Sequence, residues 1–549
     1  MGELAVVAAA LAIIPTARGA SADSGRPSAV CQGLSDTLPV DAARLLDFGD
    51  YRGAPASPSA QAQRFFDQGL VFGWGFNFAE AVRSFRAAAK LDPACALCRW
   101  GIAWALGPSV NHDMDPTSVP VAIDAIVQAR TYAAAGSRTR LLIDALAERY
   151  SDRADADQDR LARSYAKAMR AVAQNFPNDP DMLVLAAEAA MTAHAYDYWH
   201  ADGRPKGWTP EVAGWLDRAL QLAPTHPGAH HYRIHLFEDS RQPERALASA
   251  VQLGALVPIV GHLMHMPSHI FFRIGRYRDA LLANRAAVQA DRAYGAATGT
   301  ETDYAVHNLH YLWVSALWAD DHATALEVAD QLATASAVGE TPNALSQQLM
   351  AAPWLTRVRF GQWDAVARQT APASEPGSKP YLQGLMHFAS GMADAARGDV
   401  KAAATELVWL QRAERAARAA GLTIKTIDEA SDALSVARFL LLSAIATARG
   451  VHDDAVRYAR QAVVAEDRLA SGDPPLWVVP ARHALAAALL RTGRAGEAKD
   501  VYLADLRRHP KNCAALAGVT ASDSKLRSSA VASASAVQRV VDYSSHCPE

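Results

Sequence analysis

Segments about 34 residues long recur along this chain, and that period constrains the fold more than any other feature of the sequence. "FFDQGLVFGWGFNFAEAVRSFRAAAKLDP" (Phe65 to Pro93) reads as two short helices, with Gly69 and Phe72 on the first, Ala81, Phe85 and Ala88 on the second, and Pro93 as the stop. "HALAAALLRTGRAGEAKDVYLADLRRHP" (His483 to Pro510) repeats the pattern through Ala486, Gly493, Ala498, Tyr502 and Pro510. Between them, Pro243 to Pro258, Gly275 to Val288, His322 to Ala333 and His452 to Val463 read as second helices of further units. A lone hairpin of this size cannot bury its apolar face, so the units must stack on one another. At 549 residues the chain exceeds one ordinary domain, and its apolar half is rich in alanine, a strong helix former. The expectation is an all-α fold.

These hairpins resemble tetratricopeptide (TPR) units, and the resemblance spans residues 62 to 520. It implies a right-handed α-solenoid. The expected organisation is a signal peptide over 1–22, a leader over 23–61, an N-terminal solenoid over 62–370, C-terminal repeats over 381–520 and a tail over 521–549. The signal peptide rests on the apolar run Leu4 to Ile14 and the Ala20-Ser21-Ala22 pattern, although the usual basic residues before the run are missing. Export to the periplasm or outside the cell follows from it. Breaks are expected at the "DYWHADGRPKGWTP" insertion (Asp197 to Pro210) and the "APASEPGSKP" loop (Ala371 to Pro380). No later apolar run reaches the ~18 residues of a membrane-spanning helix. Of five cysteines, Cys95 and Cys98 form a CxxC pair that reads as a local disulfide or as a redox or metal pair.

Histidines fall on the repeat. Eight of the 18 lie between His230 and His310. His231 and His265 are 34 residues apart, as are His235 and His269, and Ala246 and Ala280 keep the same offset on the paired second helices. An offset of 45 relates His262 to His307, His265 to His310 and Ala280 to Ala325, which is one repeat plus an 11-residue insertion between Asp291 and Tyr304. In the TPR register these residues take positions two, five and nine of three successive first helices, with Glu238 at twelve and Arg273 at thirteen. The resemblance implies that those positions line the concave groove. His230, at position four, should face the neighbouring helix.

Spacings of three and four put side chains on one helical face, so these imidazoles can converge on a metal. The expected ligands are His231, His235, His262, His265, His269, His307 and His310, more donors than the four of a closed zinc site, which points to a mononuclear site with open positions or to a dinuclear one. Imidazole suits copper, iron, nickel and zinc, whereas calcium or magnesium would want more carboxylates. Copper or iron is favoured, with zinc the alternative. Glu238 is a candidate ligand or general base, and Arg273 a candidate anchor for a substrate anion. Glu188, His194 and His200 are candidates to close one end of the pocket. Asn111 and His112, in "GPSVNHDM", are candidates for the groove edge.

The blocks "ACALCRWGIAWALGPSVN", "GAHHYRIHLFEDS", "GHLMHMPSHIFFRIGRY" and "YAVHNLHYL" resemble a group of bacterial His-rich TPR proteins, a resemblance covering residues 94 to about 315 that implies the solenoid but no reaction. With 54 basic and 57 acidic residues and no basic run, nucleic acid is not an expected partner. GxSxG, Walker, GxGxxG and HExxH motifs are all missing. The leading expectation is a metal-dependent enzyme, with copper or iron oxidoreductase favoured over zinc hydrolase, acting on a small molecule or peptide in the groove. The alternatives are a non-catalytic interaction scaffold and a periplasmic metal-binding protein.

Overall fold

The structure, a computed structural model, describes residues 44–337, 343–369, 379–424, 428–469 and 474–532. Among them every regular element is a helix, apart from the two-residue strands Thr423–Ile424 and Asp428–Glu429 and one bridge between Trp199 and Pro205. Each helix packs on the next in sequence, the arrangement of an α-solenoid of hairpins. The expected signal peptide and the loop over 370–378 lie outside the described residues.

The first hairpin shows why the repeat demands small residues. Ala60–Trp74 starts at Ser59, whose side chain accepts the Ala62 N–H, and Phe78–Leu91 starts at Asn77, which caps Glu80 in the same way. Phe85 of the second helix then wedges between two first helices. A Cβ at Gly69 would lie 2.6 Å from its ring and one at Gly101, on Ala96–Ala105, 2.5 Å from it. One phenyl group therefore locks a unit to its successor through two glycines. The equivalent alanines Ala246, Ala280 and Ala325 are all fully buried, as the repeat register requires.

A single apolar core runs from Phe48 to Ala481, with a smaller cluster between Val456 and Ala515. The described part of the leader is held against the solenoid, since Phe48 is buried and the Tyr51 hydroxyl donates to Asp181 at 2.6 Å. Beyond residue 520 the chain continues as the helix Cys513–Ala532. Cys95 and Cys98 are disulfide-bonded. The helix Ala430–Ala448 has the length and composition to cross a membrane, but 61% of that stretch is buried within the solenoid, as in a core helix.

Candidate metal centre

Three successive units build the site. The helix Pro227–Glu238 is capped by His226, whose Nδ1 accepts the Ala229 N–H, and it carries His231, His235 and Glu238 at spacings of four and three. The next first helix is expected as one piece but is split at Pro267 into Gly261–His265 and Pro267–Arg273, because proline brings no N–H and crowds the preceding turn. His262 and His265 lie before the break and His269 after it. Ala305–Trp318 adds His307.

Six imidazoles meet as two triads. Each of His231, His235 and His262 offers one ring nitrogen, and these three atoms lie within 4.8 Å of one another; the same holds for His265, His269 and His307. Within the triads, Nε2 of His262 is 3.2 Å from Nε2 of His231, Nε2 of His265 is 2.9 Å from Nε2 of His269, and Nε2 of His307 is 3.2 Å from Nε2 of His265. An ion bound ~2.0–2.1 Å from each nitrogen in tetrahedral geometry spaces its ligands by about 3.3 Å, so the donors already stand near ligand separation. The triads adjoin, with the His262 and His265 rings 5.7 Å apart and the His235 and His269 rings 6.3 Å apart. All are buried except His307, which is half-buried.

Three of the outer nitrogens face polar partners, whereas Nδ1 of His231 and Nδ1 of His262 are buried with no hydrogen-bond partner among the described residues. Nδ1 of His265 donates to the Asn284 side-chain oxygen at 2.7 Å, and the Asn284 amide donates to the Ala280 carbonyl (2.9 Å) and the Ser315 hydroxyl (3.1 Å). Nδ1 of His235 and Nδ1 of His269 approach the two oxygens of Glu238 at 2.8 and 2.6 Å. The His265 and His235 bonds put the proton on Nδ1 and leave Nε2 as the lone-pair donor facing inward, and the close approach of Glu238 to Nδ1 of His269 favours the same tautomer there. Nε2 of His235 is buried with no hydrogen-bond partner among the described residues. Burial, reinforced by the other histidines, holds His231, His262 and His265 well below the usual imidazole range, so they are neutral. Burial pushes the Glu238 carboxyl up, but His269 and His235 outweigh it and hold it well below the usual carboxylate range.

Several expected site residues are placed elsewhere. His310 joins neither triad, and its ring stands 6.0 Å from Trp313 and 6.3 Å from Tyr311 on its own helix. Tyr311, one residue or about 100° further round the helix, takes that place, 4.4, 4.9 and 4.8 Å from the rings of His265, His269 and His307. Glu238 belongs to neither set of donor atoms and acts on the imidazoles from outside. The Arg273 guanidinium donates to the carbonyls of Glu238 (2.7 Å) and Ser240 (3.0 Å), satisfying a helix C-terminus rather than a substrate anion. Glu188 pairs with Arg149, His194 stacks on Trp208, His200 is exposed and His230 bonds the Pro224 carbonyl.

Residues that the repeat register did not flag complete the walls. Phe76, buried and at φ 57°, lies 4.7, 5.0 and 5.8 Å from the rings of His231, His262 and His235. Its signal was the Gly-Phe-Asn turn, too short to hold helix. Tyr304 covers His262 at 4.1 Å and receives a hydrogen bond from Asn111, so the "GPSVNHDM" loop does reach the edge of the site. Asn284 was legible only as a polar residue on an otherwise apolar helix face.

No protein-family profile matches the sequence, and no curated protein matches it. Among solved structures, the P58(IPK) TPR domain is 12% identical with a TM-score of 0.22, covering 86% of this chain and 99% of its own. Human IFIT1, solved as a dimer with m7Gppp-AAAA, is 12% identical with a TM-score of 0.29 over 90% and 94% of the two chains. Yeast Tom70 is 11% identical with a TM-score of 0.26 over 87% and 91%. With TM-scores this low, the fold assignment rests on the hairpin packing itself: the chain is a TPR-like helical-repeat protein with two buried three-histidine groups able to hold metal.

Proposed function

We propose that this protein is a metal-dependent oxidoreductase that holds two transition-metal ions, one in each triad, with copper the favoured metal. The observation that carries this reading is the pair of adjoining three-nitrogen donor sets, neither of which includes a carboxylate. Neutral imidazoles suit copper and zinc, and mononuclear or dinuclear iron more often takes carboxylate ligands as well. The charge argument points the same way. With no carboxylate among the donors of either triad, divalent ions in both would leave most of their charge uncompensated in a buried place, a penalty that copper in its monovalent state reduces. A bound redox metal supplies one-electron chemistry and the activation of dioxygen or substrate.

The chain's own residues shape access. Phe76 seals the first triad with an apolar ring. In the second triad His307 is half-buried and lies 5.4 Å from Tyr304, and we assign the approach of a small molecule to this side. A peptide-binding groove would instead offer its contacts at the surface, whereas five of these six histidines are buried. Export to an oxidising compartment belongs to the proposal and is supported by the Leu4 to Ile14 run and the Cys95–Cys98 disulfide.

Metal analysis of untagged protein tests the reading. The expected result is two ions per chain, removal of both by chelation, and oxygen consumption with reducing substrates that is lost on His265→Ala. Protein that binds neither copper, iron nor zinc at micromolar concentration refutes it.

A further inference from the structure

We infer that Glu238 is a positioning residue common to both ion sites, its two carboxylate oxygens setting the tautomer of one ligand in each triad. The inference rests on the two-ion reading above. Its basis is the 2.8 Å contact to Nδ1 of His235, a member of the first triad, and the 2.6 Å contact to Nδ1 of His269, a member of the second. Neither donor group contains a carboxylate.

Elementary hydrogen-bond accounting explains why this position needs a carboxylate. An ionised carboxylate only accepts, so it can receive an N–H from two imidazoles at once and leave both Nε2 atoms unprotonated. A neutral imidazole carries one N–H; when that proton is on Nδ1, Nε2 is the ligand. Both rings therefore present the same nitrogen inward because one acidic group lies behind both. The backbone of Glu238 is held to match. Arg273, on the helix that carries His269, donates to the Glu238 carbonyl at 2.7 Å, so side chain and main chain tie the same two helices together. Asn284 supplies the contrast: its oxygen serves one triad histidine, His265, besides the Ser268 hydroxyl at 3.5 Å.

The amide variant discriminates. In Glu238→Gln the side-chain oxygen accepts from one imidazole, but the NH₂ meets the other Nδ1 and can only donate to it. That ring must then carry its proton on Nε2, where it no longer ligates. One site keeps its full affinity and the other weakens by about 10–100-fold, the usual effect of losing an outer-shell partner. In Glu238→Ala both sites weaken by that factor.

The experiment titrates metal-free, untagged full-length protein with copper(I) under anaerobic conditions against a chromophoric chelator, with far-ultraviolet circular dichroism checking helix content. Wild type is expected to take two ions, Glu238→Gln one tightly and one weakly, and Glu238→Ala two weakly. Wild type that takes no copper overturns the two-ion reading and this inference with it. Wild type that takes two ions while Glu238→Gln binds both as tightly overturns the inference alone, as does equal weakening of both ions by the amide. Should Glu238→Ala fail to fold, the near-isosteric Gln variant decides the matter.

Discussion

Asn284 offers the sharpest local test of how the second triad is built. Asn284→Leu keeps side-chain bulk in a fully buried position and removes every polar contact of the amide. Four bonds change, the longest being the 3.5 Å one from the Ser268 hydroxyl, and they do not weigh equally. The Ala280 carbonyl keeps its helical partner, and the Ser315 hydroxyl can rotate toward a carbonyl of its own helix, so both losses are small. The Nδ1–H of His265 is different: its 2.7 Å acceptor disappears, and the Ser268 hydroxyl at 3.4 Å is a poor replacement. A buried donor left without an acceptor costs about 1–3 kcal/mol. The middle of that range, ~2 kcal/mol, is a factor of about 30 in an equilibrium constant, inside the ~10–100-fold expected for an outer-shell partner of a metal-bound histidine. Two independent routes thus give the same magnitude. Competition with a chelator should show one of the two ions weakened by about that factor and the other unchanged, because Asn284 touches only the second triad. An affinity within about threefold of wild type for both ions, or equal weakening of both, would refute the tautomer argument for His265.

Two further outcomes concern the scaffold. Gly101→Ala puts a methyl group 2.5 Å from the Phe85 ring, so it should destabilise the N-terminal units by about 1–3 kcal/mol, read as a fall in the urea midpoint; Phe85→Leu in the same chain should recover part of the loss. Glu466 is half-buried beside Arg482, at 3.9 Å, and its removal from water raises its carboxyl from the ordinary 4.5 to about 7. The folded state therefore binds this proton more tightly than the unfolded one, and the stabilisation it brings is full below about pH 4.5 and is lost as pH rises to 7. Its amount is about 3 kcal/mol, and Glu466→Gln should flatten that part of the pH dependence between pH 5 and 8, measured by hydrogen exchange across Ala481–Arg508. A variant with the same pH slope as wild type would show that the carboxyl titrates normally.

Spacing along the chain was enough to announce helical hairpins, to put Ala246, Ala280 and Ala325 in the crossings, and to gather His231, His235, His262, His265, His269 and His307 on adjacent inner helices, because helical periodicity is a local property. It could not tell His310 from Tyr311. Those neighbours differ by about 100° round one helix, and the roll of Ala305–Trp318 is set from far away: Asn308 donates to Asp291 at 2.7 Å and the Trp313 indole donates to Thr356 at 2.8 Å. The break at Pro267 was visible as a residue but not as an angle. Nor did spacing foretell that six ligands divide three and three, or that Glu238 stands behind one of each, since both depend on how closely helices from successive repeats approach. Periodicity chooses the face a side chain occupies; packing between distant helices chooses the atom it meets.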